Sequence, residues 1–168
     1  MASGAAYAQA DQPAHDAARP NILWLDAEDA NVNWFGCYGN PSATTPNIDQ
    51  LASEGFRYTH AFASAPACSP QRSTWITGIN AVSMGTVSLR TPNAIPHDTI
   101  KYYPDYLRAA GYHATAPGKT DYNIGGRSDR DAWEKRNRKS LWRDRAPGQP
   151  FFHVAHLKES HESRAHGD

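Results

Sequence analysis

The first twenty residues show no apolar periodicity; they are polar and Ala-rich and are expected to be disordered. Order is expected to begin at Asn21-Ile22-Leu23-Trp24-Leu25, a continuous apolar run that reads as a buried, parallel-type strand. The run ends in Asp26-Ala27-Glu28-Asp29. Three carboxylates at the end of a buried strand are costly unless something cationic sits among them. In open α/β sheets, ligands bind at that carboxyl end.

A Gly-, Asn- and Pro-rich loop follows over residues 36–46, and residues 45–55 then have the grammar of a short helix. Thr45 stands at the N-cap, Pro46 at the first helical position, Ile48, Leu51 and Ala52 share a face, and Gly55 stops it. Residues 56–62 read as a second strand, and Cys68-Ser69-Pro70-Gln71-Arg72 opens a helix running to Gly78. A third helix is predicted over residues 104–110, closed by Gly111, and a strand over residues 112–116 with Gly118-Lys119-Thr120-Asp121 after it. A charged stretch precedes the last predicted strand, residues 150–157, which leads into Ser160-His161-Glu162-Ser163. Strands alternating with helices predict an α/β fold with a largely parallel sheet flanked by helices. The polar residues of interest fall repeatedly just after strands.

Composition narrows the function classes. With 17 basic and 17 acidic side chains in 168 residues, the chain carries no electrostatic footprint for nucleic acid or an anionic membrane. The local run Lys135-Arg136-Asn137-Arg138-Lys139 is interleaved with acids and reads as a solvated face. No apolar run approaches the roughly 20 residues of a membrane span. Two cysteines, Cys37 and Cys68, form neither a disulfide framework nor a zinc-site spacing. Ala6-Tyr7-Ala8-Gln9-Ala10 is like the cleavage end of a secretory signal, without the charged and apolar parts that precede one. Residues 1–20 are therefore read as a disordered leader or signal-peptide remnant, and a periplasmic or secreted location is the expectation.

Cys68 stands at the start of a helix whose N–H groups and dipole favour a thiolate or bound anion. Arg72, one turn on, can reach the same spot. Taken alone, this is either an activated nucleophile beside an anion hole or a buried structural cysteine with a surface arginine.

Cys68-Ser69-Pro70-Gln71-Arg72 with Thr77-Gly78 resembles the Cys-x-Pro-x-Arg signature of type I sulfatases, members of the alkaline phosphatase-like superfamily. The resemblance extends to Arg19-Pro20-Asn21-Ile22-Leu23, Gly36-Cys37-Tyr38-Gly39 and Thr45-Pro46-Asn47-Ile48-Asp49. Ala109-Ala110-Gly111-Tyr112, Gly118-Lys119, Pro150-Phe151-Phe152 and Ser160-His161-Glu162 continue it in order. It implies a sulfuric ester hydrolase in which a maturation enzyme oxidises Cys68 to formylglycine. One hydroxyl of the hydrated aldehyde would attack sulfur, and the second would expel sulfate by collapsing back to the aldehyde.

The same resemblance places Glu28 and Asp29 where the family has paired acidic metal ligands, with Cys68 completing this part of the set. The implied cofactor is a divalent metal, calcium or alternatively magnesium, suited to hard carboxylate oxygens. Glu28 departs from the usual Asp, which makes Asp29 the stronger of the two as a ligand. Arg72 would hold the hydrated aldehyde, Lys119 would contact sulfate and nucleophile, and His161 would bind the sulfate group or assist the departing alcohol. Asp121 stands where many members have His, so no role is carried over to it. His153 and His156, on opposite faces of the last predicted strand, are read as ordinary strand histidines. The partners implied are a sulfate ester, of a sulfated carbohydrate in exported bacterial members, and the maturation enzyme. Residues 21–168 would be the N-terminal part of a longer catalytic domain, inactive alone. A phosphonate or phosphate monoester hydrolase of the same superfamily and a non-catalytic remnant are the competing readings.

Overall fold

The computed structural model describes residues 19–91, 93–134 and 141–164. Among these residues, three strands form one all-parallel sheet: β1 (Ile22–Ala27), β2 (His113–Thr115) and β3 (Phe151–Leu157), in the order β1-β3-β2. The last strand thus lies at the centre, paired with β1 from Ile22↔Phe152 to Ala27↔Leu157 and with β2 at Thr115↔His153. All three carboxyl ends, where the charged residues were noted, consequently lie at one edge of the sheet.

Among the described residues, four α-helices accompany the strands: α1 (Pro46–Glu54), α2 (Cys68–Thr77), α3 (Ala81–Met84) and α4 (Tyr103–Ala109). The predicted α/β architecture is present, and the first, third and fourth predicted strands and all three predicted helices appear within one or two residues of their expected bounds. Residues 56–62 are the exception, for they form no strand. Phe56 is 98% and Phe62 88% exposed, and among the described residues no sheet edge offers this segment backbone partners. An apolar pattern supplies side chains for a strand but not the neighbouring N–H and C=O groups that make one.

Period-two alternation gives the sheet two different faces. Trp24 of β1 and Phe152 of β3 pack on one face with Tyr103, Leu107 and Ile76 from the helices. The ring centroids of Trp24, Tyr103, Trp133 and Phe152 lie 5.4–6.5 Å apart in stacked and edge arrangements, separations that favour aromatic pairing. Leu23, Leu25 and Leu157 point from the other face and remain 42–55% exposed. Towards β2 that face is closed, with His113, Thr115 and His153 buried and the Thr115 hydroxyl 2.7 Å from His153 Nδ1.

Loop chemistry fixes the entry to α1 in a way its cap position did not foretell. Thr45 occupies the N-cap and Pro46 the first turn, but the Thr45 hydroxyl makes no cap bond. It accepts the Gly36 N–H at 2.9 Å and donates to Asp49 Oδ1 at 3.0 Å, while Asp49 also accepts the Cys37 N–H at 2.7 Å. These bonds tie the 36–38 turn to the helix. Among the described residues, no helix is long and apolar enough to cross a membrane.

Candidate active site

Asp26 and Glu28 stand two residues apart at the end of β1, so alternation turns both towards the helix-covered face. His156 pairs with Asp26 across β1 and β3 and therefore projects from the same face. Both carboxylates are buried, at 8% and 4% exposure, and the His156 side chain is 3% exposed. His156 bridges them, with Nδ1 2.8 Å from Asp26 Oδ2 and Nε2 2.6 Å from Glu28 Oε2.

Cations come from two other elements. Arg72, on the first turns of α2 and 4% exposed, places Nη2 2.8 Å from Asp26 Oδ2, 2.9 Å from Glu28 Oε2 and 3.1 Å from His156 Nδ1. Its Nη1 donates to the Lys119 carbonyl at 3.2 Å, and its guanidinium lies 5.5 Å from the centre of the Trp75 ring. Lys119, on the loop after β2, donates to Glu28 Oε1 at 2.8 Å. Burial would raise the Glu28 carboxyl, but the Lys119 hydrogen bond and the charges of Arg72, Lys119 and His156 outweigh it and hold the group below the ordinary carboxylate range. Burial likewise works against the Lys119 ammonium, yet Glu28 and, after it, Cys68 raise its hold on the proton.

Cys68 is the first residue of α2, half-buried, with Ala67 extended before it and Pro70 in the first turn. Pro70 has no N–H to lose at that position, which lets the helix begin directly behind the thiol. The helix closes at Gly78, left-handed at φ 73°, whose N–H bonds the Thr74 carbonyl. Arg72, Lys119 and Glu28 thus meet in one buried cluster drawn from β1, α2 and the loop after β2, and Cys68 adjoins it through its interaction with Lys119.

The fold separates other candidates from them. Asp29 takes a left-handed φ of 56°, is exposed, and accepts the Glu162 N–H at 2.8 Å. His161 is engaged through Nδ1 with Ser163, at 2.9 Å from its hydroxyl. Among the described residues, no hydrogen bond or ion pair joins either of them to the cluster. Asp121 is also left-handed, at φ 44°, and its charge adds to burial in raising the nearby Asp129 carboxyl. The basic run at 135–139 lies outside the described residues.

Two residues of the cluster carried no role in the sequence reading. The structure corrects His156 from an ordinary strand histidine to a bridge between carboxylates, whereas His153 fits the ordinary reading in its bond to Thr115. Asp26 was one of three strand-end carboxylates with nothing to single it out. Its spacing of two from Glu28 was the available signal, since Asp29 necessarily faces away from both in an extended chain.

The family profile described as Sulfatase matches residues 20–135. The chain belongs to the sulfatase family. It is 33% identical over 156 residues to the ulvan-active sulfatase of Formosa agariphila, covering 86% of this chain and 26% of that protein. It is 36% identical over 110 residues to human arylsulfatase A, covering 63% of this chain and 22% of that protein. The chain therefore spans about a quarter of the length of these curated relatives. A solved structure in complex with its substrate D-glucosamine-2-N,6-O-disulfate superposes at a TM-score of 0.69 and 22% identity, over 86% of this chain and 35% of that one. The phosphonate monoester hydrolase of Agrobacterium radiobacter superposes at 0.57 and 26% identity, over 89% of this chain and 29% of that one. These superpositions identify the sheet as part of the alkaline phosphatase-like fold of the family.

Proposed function

We propose that this chain carries the nucleophile-bearing part of a sulfuric ester hydrolase acting on a sulfated carbohydrate. The observation that supports it most is the meeting of Cys68 with Arg72, Lys119 and Glu28, the last two 91 positions apart in the sequence. Relatives described as acting on ulvan and on a disulfated glucosamine favour the carbohydrate substrate. An exported location, periplasmic or secreted, suits such a polymer.

Oxidation of Cys68 by a maturation enzyme would supply a formylglycine whose hydrate is the nucleophile. The remaining work falls to this chain's own groups. The N–H groups at the start of α2 would favour an anion held at position 68. The Lys119 ammonium, held charged by Glu28, sits beside position 68 and would neutralise sulfate oxygens during attack. Arg72 is fixed by its buried carboxylates and would orient the nucleophile rather than swing with the substrate. Two carboxylates and an imidazole with donor atoms within 4.8 Å of one another form a donor set that fits a divalent cation. Bound there, such a cation would supply the charge that favours an alkoxide over a hydroxyl at position 68. Calcium or magnesium is what the resemblance implies, with Glu28 as the ligand the cluster retains; Asp29 would serve only if its turn were reorganised.

The test is a peptide mass map of the protein made in a host that contains the maturation enzyme, read on the tryptic peptide from Tyr58 to Arg72. Conversion replaces the sulfur and two hydrogens of the thiol side chain by one oxygen, and the aldehyde forms a hydrazone. An intact thiol at Cys68 under those conditions would overturn the nucleophile. The phosphonate hydrolase reading rests on the Agrobacterium superposition. Faster turnover of an aryl phosphonate than of an aryl sulfate would favour it.

A further inference from the structure

Cys68 has a helix on one side only. α2 begins at it, and the chain that delivers it runs through residues 56–63, exposed throughout and in neither strand nor helix. An N-cap side chain commonly ties such an entry to the first turn, but Ala67 offers no side-chain acceptor and makes no cap bond. The tie comes from inside the helix instead. Gln71 Oε1 accepts the Ser64 N–H at 2.8 Å and the Ala65 N–H at 3.4 Å, and the Ser64 hydroxyl donates to it at 3.1 Å. Two backbone N–H donors require an acceptor at that point, so the carboxamide stands with its oxygen towards residues 64–65. The Ser64 hydroxyl also lies 2.7 Å from that of Thr74, which accepts the Ala81 N–H at 3.0 Å. Gln71 gives its own N–H to the Ala67 carbonyl at 3.0 Å. One residue thus fastens the chain at 64–65 and again at 67, on the approach to position 68.

We propose that Gln71 is a positioning residue for the nucleophile: by fastening residues 64–65 to α2 it fixes the direction in which the side chain at position 68 leaves the backbone and keeps it against Lys119. It acts through the backbone, not by contact with the reacting atoms. The groups around position 68 are themselves fixed, Arg72 by Asp26 and Glu28, and Lys119 by Glu28. A side chain free to swing at 68 would forfeit the alignment those fixed groups provide. The N–H of the first helical residue has no partner within its helix, so the constraint on that side comes from the approach. Ala65, 2% exposed, is where that approach becomes buried.

The inference rests on the sulfatase reading for its place in the reaction, but its test reads the unoxidised thiol and is separate from the aldehyde test. The purified 168-residue chain is alkylated with iodoacetamide under native conditions, and Cys68 and Cys37 are followed separately by peptide mass. Alkylation proceeds through the thiolate, which a neighbouring ammonium favours, and Lys119 interacts with Cys68. Lys119→Met should therefore slow Cys68 roughly three- to fivefold relative to Cys37, the size of a partly exposed ion pair. Gln71→Met keeps side-chain length and helix propensity but lacks a strong acceptor. In that background the same Lys119 substitution should change the Cys68 rate by less than about 1.5-fold. Gln71→Glu restores the acceptor and should restore the Lys119 effect. A merely structural role would instead speed both cysteines together and leave the Lys119 effect in place. A Lys119 effect that persists in Gln71→Met, or that is missing from the chain with Gln71 intact, would overturn the proposal. Should a variant not fold, amide hydrogen exchange in the unaltered chain decides. The Ser64 N–H must then exchange at least about tenfold more slowly than the amides of residues 59–63, and equal rates would overturn the clamp.

Discussion

Replacing Arg72 with methionine keeps most of the length of the side chain and removes its charge from a place where two carboxylates depend on it. The Arg72 side chain is 5% exposed and those of Asp26 and Glu28 are 8% and 3% exposed, so water cannot take over the lost hydrogen bonds. Removing one partner of a buried ion pair costs about 3–5 kcal/mol, because the other charge is left behind. Glu28 retains Lys119 at 2.8 Å and both carboxylates retain His156, which places the cost near the lower figure. Loss of the cation–π contact with Trp75, at 5.5 Å, adds about 0.5–1 kcal/mol. A total of about 3–4 kcal/mol is a large share of the roughly 5–15 kcal/mol that holds a domain folded. Urea unfolding followed by tryptophan fluorescence is the assay, with Trp24 and Trp75 5.5 Å apart beside the site as reporters. The midpoint should fall with the slope unchanged, and Asp26→Asn in the Arg72→Met background should recover part of the loss by removing the stranded charge. A loss below about 1 kcal/mol, or a double variant with simply additive losses, would refute the reasoning. In either case the cluster would be better solvated than its exposures imply.

Two further expectations concern the strands beneath the site. A Cβ added at Gly118 would lie 2.8 Å from His156 Cβ, so Gly118→Ala must displace the strand histidine or the loop that carries Lys119. A loss of about 1–3 kcal/mol in urea unfolding is expected, and wild-type stability would show that the loop moves freely. Burial, and secondarily the charge of His113, depresses the His153 imidazole below its ordinary value of 6.5. The unfolded chain therefore takes up a proton on acidification before the folded chain does, and stability falls as pH drops through the unfolded value towards the folded one. Unfolding midpoints followed between about pH 8 and pH 5 should decline, with a smaller slope in His153→Gln; an equal slope in both proteins would assign the effect to other groups.

The sequence by itself determined the elements and the chemical character of the site. The apolar run of β1, the apolar stretch of β3 and the Pro- and Gly-bounded helices are set by local side-chain pattern and backbone stereochemistry, both of which the chain states directly. The Cys-x-Pro-x-Arg run placed Cys68 and Arg72 a turn apart for the same reason. What tertiary structure alone decided is which charged residues meet. Setting β3 between β1 and β2 makes His156 the neighbour of Asp26 across 130 residues, and no local pattern encodes that strand order. The left-handed turn at Asp29 sends one acid of an adjacent pair to the surface while the strand's alternation keeps Asp26 and Glu28 together. Residues 56–62 fail as a strand on the same ground: extended pairing needs a partner edge, and only the assembled sheet determines whether one exists.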